Sequence, residues 1–219
     1  MSRRTLATAG TAVVVFVAMW IGYLQGWAWL TAVDSWFLDG LQPIGAAHPA
    51  WVTTWNVVCT VLGPSLFRIV GVAAIIWLLS RRYLRPAMFL VLSVELSGLV
   101  TTVAKLMADR PRPATAMVHA FGTSFPSGHA LGVMAGVLAF LTLLLPVVGA
   151  RWRTPLIIGG AAIVVVIGIG RVVLNVHHPS DVIAGWALGY LWWLICLKLV
   201  RPLPVRTPAG TPAVPDRGN

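Results

Sequence analysis

Long apolar runs separated by short polar breaks set the pattern of this chain. They extend from Leu6 to Leu24, Ser65 to Ser80, Pro86 to Lys105, Ser127 to Pro146, Pro155 to Val173 and Ser180 to Leu199. Runs of this kind approach the roughly 20 residues that a helix needs to cross a bilayer. They are too long and too uniformly apolar for the alternating strands of a membrane barrel, and a helix satisfies its own backbone inside lipid. The pattern predicts an all-α polytopic membrane protein, with six transmembrane helices in one bundle over residues 1–201. The proline-rich stretch 202–219 reads as a disordered cytoplasmic tail.

Two features interrupt the pattern. Gln25 to Val61 holds Trp27, Trp29, Trp36, Trp51 and Trp55, together with Asp34, Asp39, Pro43, His48 and Pro49. Tryptophan favours the membrane–water boundary, so this stretch predicts one or two interfacial helices between the first and second spans. They would shape a lipid entrance or simply cap the bundle. Glu95 falls near the middle of the third run, and an ionisable group at that depth should face the bundle interior. A structural hydrogen bond is the simpler role for it, a proton relay the other.

Composition agrees with a membrane protein. The 219 residues are 58% hydrophobic and 10% charged, and the mean hydropathy is +0.85. A soluble domain would carry about a quarter charged residues. The net charge of +10 would point to nucleic acid in a soluble chain. Here most positive residues flank the apolar runs, which is the pattern of topology signals, so nucleic-acid binding is a poor explanation of the charge. Arg3, Arg4, Arg81, Arg82, Arg85, Arg151, Arg153, Lys198, Arg201, Arg206 and Arg217 all fall on one side of the predicted topology. That side is the cytoplasm, with both termini in it. A cleavable signal peptide competes for the first run. Its length, and the lack of a small-x-small site directly after it, favour a retained helix. Cys59 and Cys196 lie far apart in apolar surroundings and read as buried free thiols.

Five cations violate the charge bias: Arg68, Lys105, Arg110, Arg112 and Arg171. All but Arg68 belong to three polar clusters at the outer ends of apolar runs. The first holds Lys105, Arg110 and Arg112 with Pro111 and Pro113. The second is Phe125-Pro126-Ser127-Gly128-His129. The third runs from Arg171 through His177, His178 and Pro179 to Asp181. Guanidinium forks and a lysine suit phosphate oxygens. Ser127-Gly128 opens a helix, whose first amides lack partners and sit at its positive end. Phosphoryl transfer through a protein nucleophile needs a neutral imidazole and an acid for the leaving oxygen. His177 and Asp181 are four apart and share a helical face, so Asp181 can orient the ring. His129 is then the acid and later the base that activates water. His178 competes as nucleophile, and the spacing to Asp181 favours His177. No metal is required, because the cations stabilise the transition state. Each cluster alone has a bland reading: Asp109 and Arg110 pairing with each other, Ser-Gly as a plain helix start, and His48 and His119 as solvent or interfacial residues.

Lys105-x6-Arg112-Pro113, Pro126-Ser127-Gly128-His129 and Arg171-x5-His177-x3-Asp181 resemble, in order and spacing, the three signature motifs of the type 2 phosphatidic acid phosphatase (PAP2) superfamily. The resemblance implies a metal-independent membrane lipid phosphatase, without cofactor, that works through a phosphohistidine. It implies Lys105, Arg112, Ser127, Gly128 and Arg171 as phosphate ligands, and His129, His177 and Asp181 as catalytic residues. Implied substrates are lipid phosphates such as phosphatidylglycerophosphate, undecaprenyl diphosphate and phosphatidate. The implied place is the plasma membrane, with the site on the extracytoplasmic side. One departure is visible: the third motif usually begins Ser-Arg, and here it is Gly170-Arg171. A phosphotransferase on the same scaffold is the alternative. Vanadate-dependent peroxidase chemistry fits poorly because relatives that perform it are soluble, and a non-catalytic lipid carrier would not need the intact histidines.

Overall fold

The computed structural model describes residues 3–202. The tail from 203 onward, with Arg206 and Arg217, lies outside the described residues. Every regular element of the described chain is a helix. Helix α1 covers Arg3–Leu24, α2 Ala28–Ala47, α3 Pro49–Val61 and α4 Pro64–Ser80. Helix α5 (Leu84–Leu90), a π-helical turn (Val91–Glu95) and α6 (Ser97–Ala108) follow one another closely. After a long loop come α7 (Gly128–Leu144), α8 (Ala150–Val173) and α9 (Pro179–Val200).

Among the described residues, five segments are long and apolar enough to cross a membrane: Arg3–Leu24, Pro49–Ser80, Leu84–Ala108, Ala150–Val173 and Pro179–Val200. Helix α7 is shorter, at 17 residues. It is nonetheless the most enclosed, packed by α4, α6, α8 and α9. Ala130, Leu131, Val133, Ala135 and Ala139 are fully buried along it. Large apolar side chains such as Ile69, Ile76, Ile158 and Leu106 instead point outward from the surrounding helices. That inside-out arrangement suits lipid as the solvent, where small residues let helices approach.

The segment Gln25 to Val61 forms two helices, α2 and α3, and α3 runs on into α4 as one 32-residue apolar segment. A break at Leu62-Gly63 separates them, and Pro64 opens α4. A Cβ at Gly63 would lie 2.2 Å from the Cys59 carbonyl oxygen, so only glycine closes this joint. The predicted third span contains the π turn, where Ser93 Oγ donates to the Phe89 carbonyl at 2.6 Å and Ser97 Oγ to that of Val94 at 2.6 Å. Extra residues in a turn of this type break the regular ladder. Glu95 at its end does not make the expected hydrogen bond through Oε1, which is buried without a partner. The nearby charge acting on it is Arg68 of α4. Cys59 and Cys196 are buried free thiols, as the sequence indicates.

Among the apolar clusters of the bundle, two mark its opposite ends. One, around Leu78, Phe89, Leu90, Leu143 and Val200, lies toward the end where α4, α7 and α9 finish. The other, around Cys59, Val133, Ile167, Leu174 and Val176, underlies the opposite end, where α8 finishes and α7 and α9 begin. The three polar clusters gather above this second core.

Candidate active site

Helix α8 ends just after Arg171, and the chain must reverse before α9. Asn175 makes the reversal in the left-handed region, at φ 51°, a conformation asparagine tolerates better than most residues. Its Nδ2 donates to the Leu38 carbonyl of α2 and to Thr115 Oγ1, each at 3.0 Å. The turn delivers His177 and His178 to the start of α9, where Pro179 occupies the first helical position. Asp181 follows in the first turn. Its Oδ2 accepts the His178 backbone N–H at 2.9 Å, which satisfies one of the amides the helix leaves unpaired.

Asp181 is fully buried and has divided loyalties. Its Oδ2 lies 3.5 Å from His177 Nδ1 and 3.2 Å from His178 Nδ1. The His177 contact is at ion-pair distance and falls short of a well-formed hydrogen bond, so Nδ1 has no partner of hydrogen-bond quality. On the other face of the ring, Arg112 Nη1 stands 3.3 Å from His177 Nε2. A guanidinium can only donate. Nε2 is therefore the acceptor, and the ring proton belongs on Nδ1, facing Asp181. Burial pushes the His177 pKa from its ordinary 6.5 to about 3, with Arg171 and Arg112 adding to the shift and Asp181 opposing it. The ring is neutral at pH 7, with its lone pair on Nε2.

Arg112 is pinned by three carbonyls. It donates from Nε to Gly122 at 2.9 Å, from Nη2 to Phe121 at 2.7 Å and from Nη1 to Val176 at 2.7 Å. Burial lowers its pKa below the ordinary guanidinium range, and Asp181 works the other way. Lys105, in the last turn of α6, donates to the Thr123 carbonyl. Ser127 caps α7: its Oγ accepts the Ala130 N–H at 3.4 Å, and its own N–H donates to the Asp181 carbonyl at 2.9 Å. Gly128 begins the helix against α6, where a Cβ would sit 3.0 Å from Thr101 Cγ2. His129 follows, and the charges of Arg171, Arg112 and Lys105 all act on its ring. Arg171 is buried with Nε unpaired and lies beside Cys59. The Gly170 that precedes it has no room for a side chain, since a Cβ would lie 2.5 Å from Cys59 Sγ and 2.9 Å from Trp55 Cε3.

All eight residues singled out from sequence thus meet at one end of the bundle. His119 does not join them and packs edge-on against Phe121, with ring centroids 4.6 Å apart. His48 sits at the α2–α3 joint. Arg110 requires a correction. It does not pair with Asp109, which takes the left-handed conformation that ends α6. Arg110 instead reaches Asp181 Oδ1 at 2.7 Å and Asp34 Oδ2 at 2.8 Å. Asp34, Ser180 and Tyr23 were not legible as site residues. Asp34 is a single carboxylate on α2, and nothing in local spacing connects it to a serine 146 positions away. Four cations and two carboxylates make the cluster electropositive, with an imidazole lone pair inside it. Such a site can hold an anion and attack it.

The PAP2 superfamily pattern matches residues 86–203 of this chain. A stretch of 101 residues is 38% identical to phosphatidylglycerophosphatase B of Bacillus subtilis (strain 168), covering 44% of this chain and 49% of the relative. A lipid A 1-phosphatase of Rhizobium johnstonii is 35% identical over 123 residues, 51% of this chain and 46% of the relative. An undecaprenyl-diphosphatase of Sulfolobus acidocaldarius is 37% identical over 83 residues, 38% of this chain and 36% of the relative. The chain thus spans about half or less of the length of these relatives. The fold is similar to the crystal structure of a transmembrane PAP2-type phosphatidylglycerolphosphate phosphatase from Bacillus subtilis. The TM-score is 0.72 at 24% identity, over 88% of this chain and 95% of that one.

Proposed function

Since this chain belongs to the PAP2 superfamily, we propose that it is an integral membrane lipid phosphatase that removes phosphate from a lipid phosphomonoester or diphosphate through a phosphohistidine. The observation that carries this reading is the arrangement around His177. Its ring is neutral, Nε2 is unprotonated and next to Arg112, and Nδ1 faces Asp181. In this reading the phosphoryl group displaces Arg112 Nη1 from Nε2, and the arginine then follows the phosphate oxygens. Lys105, Arg171, the Ser127 hydroxyl and the opening amides at Gly128 share the rest of that charge. Nε2 bonds to phosphorus as the bond to the leaving lipid oxygen breaks, and His129, which takes up a proton when the anionic phosphate offsets the surrounding cations, gives that oxygen its proton. Asp181 stabilises the cationic ring. His129 then takes a proton from water as water displaces the histidine, which restores the neutral ring.

The membrane arrangement in this reading has six spans. Helices α1, α4, α5–α6, α7, α8 and α9 cross, and α2 and α3 lie at the interface on the site's side. Arg81, Arg82, Arg85, Arg151, Arg153, Lys198 and Arg201 belong to the opposite end, which the charge bias makes cytoplasmic, with both termini and the 202–219 tail there. The site then faces outward at the plasma membrane.

The names of the relatives frame the substrate test. Purified protein is offered phosphatidylglycerophosphate, undecaprenyl diphosphate, lipid A 1-phosphate and phosphatidate, with phosphate release and lipid products both measured. Phosphate release from at least one of them, lost in His177→Ala, is the expected result. Lipid turnover with no free phosphate would favour transfer to an acceptor instead.

A further inference from the structure

The carboxylate that faces His177 belongs to a larger buried ring. Arg110 Nη1 donates to Asp181 Oδ1 and to Ser180 Oγ, both at 2.7 Å. Its Nη2 donates to Asp34 Oδ2 at 2.8 Å. Asp34 closes the ring from α2: Oδ1 accepts the Ser180 N–H at 3.0 Å, and Oδ2 accepts the Ser180 hydroxyl at 2.6 Å. The Tyr23 ring lies 4.8 Å from the Arg110 guanidinium carbon. Asp34, Arg110, Ser180 and Asp181 are all buried.

Charge balance gives this ring a consequence. A lone Arg110–Asp181 pair would be neutral, and the guanidinium would offset the field that Asp181 projects onto His177. Asp34 draws on the same guanidinium from its other nitrogen. Two carboxylates on one cation leave an excess negative charge, and Asp181 Oδ2, the oxygen Arg110 does not touch, presents it to His177 and to the neighbouring His178. Geometry works in the same direction. The Ser180 N–H lies in the first turn of α9 and has no partner within the helix. By accepting it, Asp34 fixes where α9 starts and so where Asp181 points.

We propose that Asp34 and Arg110 are positioning residues for the phosphohistidine reaction. By sharing Arg110 with Asp181, Asp34 leaves the Asp181 charge less compensated by the guanidinium and holds the carboxylate beside His177. The inference rests on the reading of His177 as nucleophile. It ties the tryptophan-rich segment to the chemistry, because α2 supplies a group that acts through Asp181 without touching phosphate.

The test uses the full chain in detergent micelles and the lipid phosphate that wild type turns over best. Asp34→Asn, Arg110→Lys and the double variant are compared. Each single variant should lose roughly 10–100-fold in kcat, the range seen when partners of active-site groups are removed. KM should stay within about twofold, because the phosphate ligands are untouched. The double variant should lose no more than the worse single one, because residues that act as a unit are not additive. Wild-type kcat in folded Asp34→Asn, a loss carried by KM, or losses that multiply would overturn the proposal. Melting curves check folding. If Asp34→Asn does not fold, Ser180→Ala decides, because it removes the hydroxyl bridge and leaves both charges: a kcat loss at constant KM supports the ring, and wild-type kcat refutes it. A fully active His177→Ala, or a wild type inert on every lipid phosphate, would bring down the phosphatase reading and this inference together. That outcome is distinct from an active enzyme indifferent to Asp34.

Discussion

The Ser127 backbone N–H donates to the Asp181 carbonyl at 2.9 Å, tying the turn before α7 to the first turn of α9. His129 on one helix and His177 before the other are thereby held at one end. The close approach continues along the helices. A Cβ at Gly185 would lie 2.6 Å from the Ser127 carbonyl oxygen and 2.9 Å from Ala130 Cβ, and one at Gly189 would lie 2.6 Å from the Leu131 carbonyl oxygen. Glycines four apart are a known means of bringing membrane helices together.

Gly185→Ala should therefore push α9 away from α7. The expected cost is about 1–3 kcal/mol of overpacking, read as a lowered melting temperature, with a fall in turnover as the two histidines separate. A variant with wild-type melting and turnover would show that the helices can shift without consequence.

Much of this site can be read from the chain because its parts are local. His177 and Asp181 are four residues apart, Ser127 caps the helix whose first turn holds His129, and Lys105 and Arg112 lie on either side of the end of α6. Periodicity and capping rules reach such relationships. The Asp34–Arg110–Ser180 ring is different, since it joins α2 to α9 across most of the chain and depends on packing that no local spacing encodes. The same limit applies to membrane geometry. The apolar runs predict six crossings, whereas among the described residues five helical segments are long enough to cross and α7 is short and enclosed by its neighbours. Gly170, a departure from the usual motif, also becomes intelligible only beside Cys59 and Trp55 of α3.

The His177 pKa sets a pH dependence with a definite sign. The folded value is lowered from 6.5 to about 3, and attack needs the neutral ring. The acid limb of kcat/KM that belongs to His177 should therefore fall well below pH 6.5. Stability should show the same window. Between these two values the unfolded chain binds a proton that the native ring refuses, so acidification from pH 6.5 toward pH 3 disfavours the fold. A kcat/KM profile in micelles, with melting curves at matched pH, checks both. A limb at or above pH 6.5 in folded protein would contradict the buried neutral ring.

Arg112 presents a fork of donors where lysine would present a point charge. Arg112→Lys keeps the charge and loses the paired contacts. Hydrogen bonds to charged groups contribute about 1.5–3 kcal/mol, so kcat/KM should fall roughly 10–100-fold. Equal activity in the lysine variant would remove Arg112 from phosphate recognition.

In the proposed mechanism, lysine, arginine and helix amides do the work that a metal ion would otherwise do. EDTA should leave phosphate release unchanged. A large loss, reversed by a divalent metal, would require a different scheme.

The most direct test of the central claim is to find the covalent intermediate. Wild type and His177→Ala are mixed with lipid labelled in the phosphate, quenched rapidly in alkali, which preserves phosphohistidine, and mapped by peptide mass. The account predicts an acid-labile phosphoryl group on His177, absent from the variant, and a loss of turnover of roughly 10³-fold or more. A label on another residue, or a variant that releases phosphate at the wild-type rate, would contradict it.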